Sequence, residues 1–130
     1  MRNALVQKAI IQHGDKFLII RRSSLTPVYP NMWDFPGGKW EKGESLRAGI
    51  IREVKEETSL KIEPLKIVAK YDIHYSNELN IHFNIYSIKE YSGKVNLSHE
   101  HTAFKWATRK QILRHKTEPY LRLLIQENRI

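Results

Sequence analysis

Apolar and polar positions change period several times along this chain, and each change marks an element. Residues 5–12 are mostly apolar and read as a strand. His13-Gly14-Asp15 reads as a turn and residues 16–21 as the returning strand of a hairpin. Residues 23–31 carry Pro27 and Pro30 and are expected to form a loop. Residues 33–35 look like a short strand, closed by Pro36-Gly37-Gly38. From residue 45 to 58 the period becomes helical: Leu46, Ile50 and Val54 recur every four residues as a buried stripe, with Ser45 as N-cap. Strands are expected over residues 67–75, over 80–88, where Ile81, Phe83 and Ile85 alternate with polar neighbours, and over 104–107. A last helix over about 118–128, capped by Thr117, turns Leu121, Leu124 and Ile125 inward. Strands dominate and the helices fall between or after them. That pattern predicts an α/β sheet covered by helices on its faces.

Composition narrows the chemistry. A chain of 130 residues suits one compact domain. It has no cysteine, which excludes disulfides, thiolate metal sites and cysteine nucleophiles and leaves the cytoplasm as the default compartment. No apolar run approaches membrane-spanning length. Gln7, Lys8 and Gln12 interrupt the first apolar stretch, which argues against a signal peptide. The formal charge is +8, yet residues 38–60 hold five basic and five acidic side chains. The excess therefore lies elsewhere, as a basic frame around an acidic centre. Such a frame attracts polyanions, although solvated surface charge has the same composition.

The acidic centre is Arg52-Glu53-Val54-Lys55-Glu56-Glu57. Residues three and four apart share a helix face, so the three glutamates are expected on one side and Val54 and Ile50 on the other. Carboxylates crowded in this way repel one another unless a cation sits among them. Oxygen-only ligands suit Mg²⁺ or Mn²⁺. Arg52 can hold one glutamate by a charge-assisted hydrogen bond. A solvated acidic face balanced by Lys55 and Arg52 is the competing reading. Two upstream features favour the metal: the Gly37-Gly38 turn, where backbone can approach a ligand, and Glu44 just before the helix.

Gly38, Glu44, Arg52, Glu53, Val54, Glu56, Glu57 and Leu60 stand at the intervals of the Nudix signature, which this sequence resembles over residues 38–60. Ser59 replaces the glycine that ends the signature helix. A left-handed residue is needed there, and serine costs roughly 1 kcal/mol or less. The resemblance implies a single Nudix domain over residues 1–130. Its fold would be an α/β/α sandwich with a central mixed sheet and a loop-helix-loop catalytic motif. It also implies roles. Glu56 and Glu57 would be the principal metal ligands, with the Gly38 or Gly37 carbonyl beside them. Glu53 would be a ligand or the base that activates water, Arg52 would orient it, and Glu44 would brace the loop or join a metal's outer shell. Glu100, in Ser98-His99-Glu100-His101, matches the later loop that supplies a further ligand or base.

The flanks resemble the MutT-type branch, which hydrolyses nucleoside triphosphates. The resemblance rests on Arg21-Arg22 after a strand, on Trp33-Asp34-Phe35-Pro36-Gly37-Gly38-Lys39, and on Thr117-Glu118-Pro119 opening the last helix. It implies phosphate contacts from Arg22 and Lys39 and a base contact from Thr117. An asparagine reads guanine at that last position in the branch, and a threonine hydroxyl cannot offer the same paired donor and acceptor. The expected activity is Mg²⁺-dependent cleavage of a nucleoside triphosphate to monophosphate and pyrophosphate. The alternatives are hydrolysis of another nucleoside diphosphate derivative, or a non-catalytic nucleotide- or RNA-binding module. The expected partner is a small nucleotide rather than a nucleic acid or a membrane, and members of the family often form homodimers.

Overall fold

The computed structural model describes residues 1–130. β1 (Arg2–Ile10) forms the centre of a mixed four-stranded sheet. It pairs antiparallel with β5 (Gly37–Lys39) on one side and parallel with β7 (Leu79–Ser92) on the other. β6 (Lys61–Ser76) closes that sheet at its edge, antiparallel to β7. Pro64 interrupts the β6 register, which an edge strand tolerates because it needs only one ladder. A second, antiparallel sheet is built around β3 (Lys16–Arg22). The strand pairs with β2 (Gln12–His13), β4 (Trp33–Asp34) and β8 (His101–Ala107).

The expected hairpin is therefore shorter than its pattern suggested. Only β2 returns against β3, while β1 continues into the other sheet. Ile11 is the crossing point: it is fully buried and its carbonyl accepts from Leu18 N–H at 2.9 Å. The Gly37-Gly38 turn is also a strand. Gly37 pairs with Lys8, and a Cβ there would lie 1.9 Å from the Gln7 carbonyl. Only glycine permits that approach, with φ at +142°.

α1 (Leu46–Thr58) covers one face of the mixed sheet, where Ile50, Val54 and Leu60 pack on Ala9, Ile11 and Tyr86. α3 (Pro119–Gln126) belongs to the opposite face, where Tyr120, Leu121 and Leu124 join Ile81, Phe83 and Ile85. This is the expected α/β/α arrangement. Phe83, Tyr86 and Tyr29 are core residues, and Phe83 stacks on Tyr120 with centroids 4.7 Å apart.

Three local expectations are corrected. Leu46 lies at the exposed start of α1, 39% accessible, so the buried stripe begins at Ile50. Thr117 does not cap α3; its backbone bridges to Trp33, and Glu118 stands at the N-cap without a side-chain hydrogen bond. The last helix accordingly starts at Pro119, whose missing N–H suits the first turn. A four-residue helix that the periodicity did not show, α2 (Arg109–Ile112), opens with a capping box between Thr108 and Gln111.

Candidate active site

α1 places the acidic side chains. Its N-cap is Ser45, whose hydroxyl accepts from Ala48 N–H at 3.0 Å. Its end is Ser59, left-handed at φ 65°, with its N–H on the Lys55 carbonyl and its hydroxyl donating to Asn96 O at 3.1 Å. The position that asks for glycine thus holds a serine in the conformation a glycine would adopt.

Arg52 gathers the charges between the two ends. It donates to both Glu44 oxygens at 2.7 and 2.9 Å, a bidentate pair that fastens the loop to the helix. Its Nη1 donates to Glu53 Oε1 at 2.9 Å and to Glu56 at 3.2 and 3.3 Å. The Arg52 hydrogen bonds hold the Glu44 carboxyl at about 2, and Glu44 in turn raises Arg52.

Glu57 differs from the pattern expected of it. It is 6% exposed and points into the molecule, while Glu56 extends into solvent. Its Oε1 accepts from Gly37 N–H at 2.8 Å, and burial pushes its carboxyl up to about 8. Burial also raises Glu53, against the pull of Arg52. Gly38 lies directly on Glu53, since a Cβ there would stand 2.2 Å from Glu53 Oε2. Charge-starved carboxylates beside a bare backbone form an all-oxygen donor set that fits a hard divalent cation. No three acidic or histidine side chains surround one centre in this structure, because Arg52 holds Glu53 and Glu56 to itself.

Behind Glu57 lies a buried polar cluster that sequence reasoning missed. Lys8, 2% exposed, donates to Asp34 Oδ2 at 2.8 Å and to the Gly37 carbonyl at 3.3 Å. Arg22 approaches Asp34 Oδ2 at 3.7 Å and Glu118 Oε2 at 3.9 Å. The His101 ring stands 3.9 Å from Glu57 Oε2. Burial would raise Asp34, yet Lys8, a hydrogen bond from Glu118 and Arg22 together hold it below the usual carboxylate range. Glu118 moves the other way, raised well above that range by burial and by the Asp34 charge. Burial pushes His101 down to about 4. The buried side-chain atoms without a conventional partner are Asp34 Oδ1, Glu118 Oε2, Ser98 Oγ and both His101 nitrogens. Unmet polar demand of this kind marks a place where a ligand or ordered water completes the bonding. Its sequence signal was faint: a lysine within an apolar strand, and acids beside aromatic and proline residues.

The other expected residues surround this centre unevenly. Glu100 is exposed on the loop before β8, and that loop is tied at both ends: Ser98 N–H to Glu57 O at 3.0 Å, Ser23 N–H to Glu100 O at 2.9 Å. Arg22 turns toward the Asp34–Glu118 pair and donates to Val28 O at 2.9 Å. Lys39 is exposed at the end of β5, its carbonyl held by Arg52 at 3.3 Å. Thr117 is half-buried beside Glu118. Two clefts of about 300 and 280 Å³ lie elsewhere, around Ile10, Lys89 and Tyr91 and around His13, Tyr91 and Trp106, and hold none of these residues.

Comparison with known proteins decides what this geometry belongs to. The model of the NUDIX domain matches residues 4–127. The chain belongs to the Nudix family of hydrolases. This Nudix hydrolase is 29% identical to the CTP pyrophosphohydrolase of Escherichia coli (strain K12), over 92% of its own length and 86% of the relative's. It is 27% identical to a MutT-like protein of Streptomyces ambofaciens, over 95% and 76%. The solved MutT protein of Methanosarcina mazei Go1 superposes with a TM-score of 0.84 at 29% identity, covering 97% of this chain and 95% of that one. The residues at the intervals of the signature run from Gly38 in β5 through α1 to Leu60. Nudix hydrolases act on nucleotide derivatives and generally use divalent metals, in keeping with the oxygen donors here. No helix is long and apolar enough to cross a membrane.

Proposed function

We propose that this Nudix hydrolase cleaves nucleoside triphosphates to the monophosphate and pyrophosphate with Mg²⁺ or Mn²⁺, and that cytosine nucleotides are preferred. The observation that carries the reading is the adjacency of two sites: the signature glutamates, and the buried Asp34–Glu118 pair with its unpartnered oxygens. One suits a phosphate-bound cation. The other suits the polar edge of a base. The description of the Escherichia coli relative supports the choice of cytosine.

Glu56, Glu57, Glu53 and the Gly38 carbonyl would hold the divalent cation, which would supply neutralisation of phosphate charge and acidification of water. Glu53 takes a proton from the attacking water. Arg52 aims Glu53 and, through Glu44, keeps the loop in register with α1. Lys39 would supply positive charge to the polyphosphate, Arg22 faces the Asp34–Glu118 pair on the base side, and Glu100, on the loop before β8, would be a further ligand or base. Glu118 stands at the N-cap of α3, and Thr117, just before it, would be a base contact. One new phosphorus–oxygen bond forms to water, the anhydride bond breaks, and monophosphate and pyrophosphate leave.

The test is product analysis with Mg²⁺ on the four ribonucleoside triphosphates, oxidised triphosphates, a nucleotide sugar and a dinucleoside polyphosphate. Pyrophosphate release, fastest from CTP, is expected. Activity only on the last two compounds would move the substrate, and binding without cleavage across the panel would overturn the hydrolytic reading.

A further inference from the structure

Lys8 has no part in the Nudix signature. It sits mid-strand in β1 with Val6 and Ile10 on the same face, where an apolar side chain would pack without cost. A buried ion pair rarely stabilises a fold more than apolar replacements of similar volume do. Lys8 is nevertheless buried, with its ammonium fixed by Asp34 Oδ2 at 2.8 Å. The charged and titratable groups facing the Asp34–Glu118 pair come from five elements and one loop. They are Lys8 on β1, Arg22 on β3, Glu57 on α1, His101 on β8, Tyr120 on α3 and Tyr29 in the β3–β4 loop. Of the two cations among them, only Lys8 is within hydrogen-bond reach of the pair. Arg22 stays 3.7 Å from Asp34 and 3.9 Å from Glu118.

We propose that Lys8 is a specificity-positioning residue: its ion pair holds Asp34 as the acceptor of the acid pair and leaves Glu118 as the donor, and this fixed order separates amino bases from keto bases. The inference rests on the base-reading role given to the pair above. The chemistry is general. Cytosine and adenine present an amino donor beside a ring-nitrogen acceptor, whereas guanine and uracil present a carbonyl acceptor beside an N–H donor. A pocket whose donor and acceptor cannot exchange places satisfies one class and leaves two buried groups unpaired against the other. Mismatches of that kind cost far more than a missing methylene. Two carboxylates with no nearby cation could exchange the proton and accept both classes. Lys8 prevents the exchange.

The experiment uses the full chain and three variants: Glu118→Gln, Asp34→Asn, and Lys8→Met combined with Asp34→Asn. The last removes both charges together, so no unpaired buried charge is left, as it would be in Lys8→Met alone. Carboxyl ¹³C NMR of the substrate-free protein should show Glu118 neutral and Asp34 ionised at pH 7. The ratio of CTP to GTP is then read both from hydrolysis and from calorimetric binding. Glu118→Gln keeps a donor, whose orientation the Lys8-paired Asp34 still fixes, and should hold the ratio within about threefold. The double variant replaces a fixed acceptor with an amide that can face either way, and the ratio should shrink at least about tenfold while the melting temperature stays near wild type. Asp34→Asn alone should lose the ratio as the double variant does. An ionised Glu118, equal handling of CTP and GTP by the wild type, or an unchanged ratio in the double variant would each overturn the proposal. Preserved binding preference without hydrolysis would remove the hydrolytic reading and leave this one standing, whereas binding of neither nucleotide would remove the base-reading role and this proposal with it.

Discussion

Gly38→Ala isolates the contact between the glycine strand and the candidate base. Gly38 has no positive φ, so alanine imposes no backbone strain. Its Cβ would lie 2.2 Å from Glu53 Oε2, 2.5 Å from Cδ and 3.1 Å from Cγ. Relief to ordinary van der Waals separation requires the Glu53 carboxylate to retreat by about 1 Å. The retreat costs the 2.9 Å hydrogen bond from Arg52 but moves only the end of a flexible, partly buried side chain, 16% exposed. Stability should therefore fall by about 1 kcal/mol or less. Catalysis is far more sensitive: a misplacement of about 1 Å at a reacting group costs on the order of a hundredfold. The variant should melt within a few degrees of wild type by circular dichroism and lose about a hundredfold in pyrophosphate release. Gly37→Ala is the contrast, because its Cβ would meet the Gln7 backbone oxygen at 1.9 Å with φ at +142°, and backbone cannot swing aside. It should fail to fold well. Full activity in Gly38→Ala would refute the claim that Glu53 works from its place against this strand, and unfolding of that variant would show the pocket to be more rigid than the contacts indicate.

Glu53→Gln should lower turnover by at least about a hundredfold with the melting temperature maintained; unchanged turnover would take Glu53 out of the mechanism. Ser59→Gly should raise stability by about 0.5 kcal/mol in urea unfolding, since glycine prefers the left-handed cap; a loss would mean that the hydroxyl bond to Asn96 matters more than backbone freedom. His101 is held neutral in the fold, with its pKa depressed to about 4. Below the unfolded value of about 6.5 the unfolded chain binds the extra proton, so this contribution is present above that pH and is lost as pH falls toward 4. The loss amounts to at most about 3 kcal/mol, and His101→Gln should be less acid-sensitive than wild type across that window in melting experiments; identical curves would contradict the assignment.

Much of this site was legible in the sequence because it is local. Arg52, Glu53 and Glu56 lie on one helix with Ser45 and Ser59 as its caps, and spacing along a helix converts directly into position. The serine at the left-handed cap could be foreseen from the signature, since a cap conformation is set within a few residues. The α/β/α layering followed from strand and helix periods, which report which face of each element is apolar. Only the tertiary structure decided the rest. The hairpin pattern of residues 5–21 does not show that β1 leaves β3 at Ile11 to pair in parallel with β7, a partner far along the chain. Glu57 reads as one more exposed acid, yet strand β5 arrives with Gly37 and covers it. Lys8, Asp34, His101 and Glu118 come from four distant segments, and each alone looks incidental. Periodicity encodes what a residue faces within its own element. The identity of the neighbour across a fold, and hence the protonation state of a buried acid, depends on contacts that no local pattern carries.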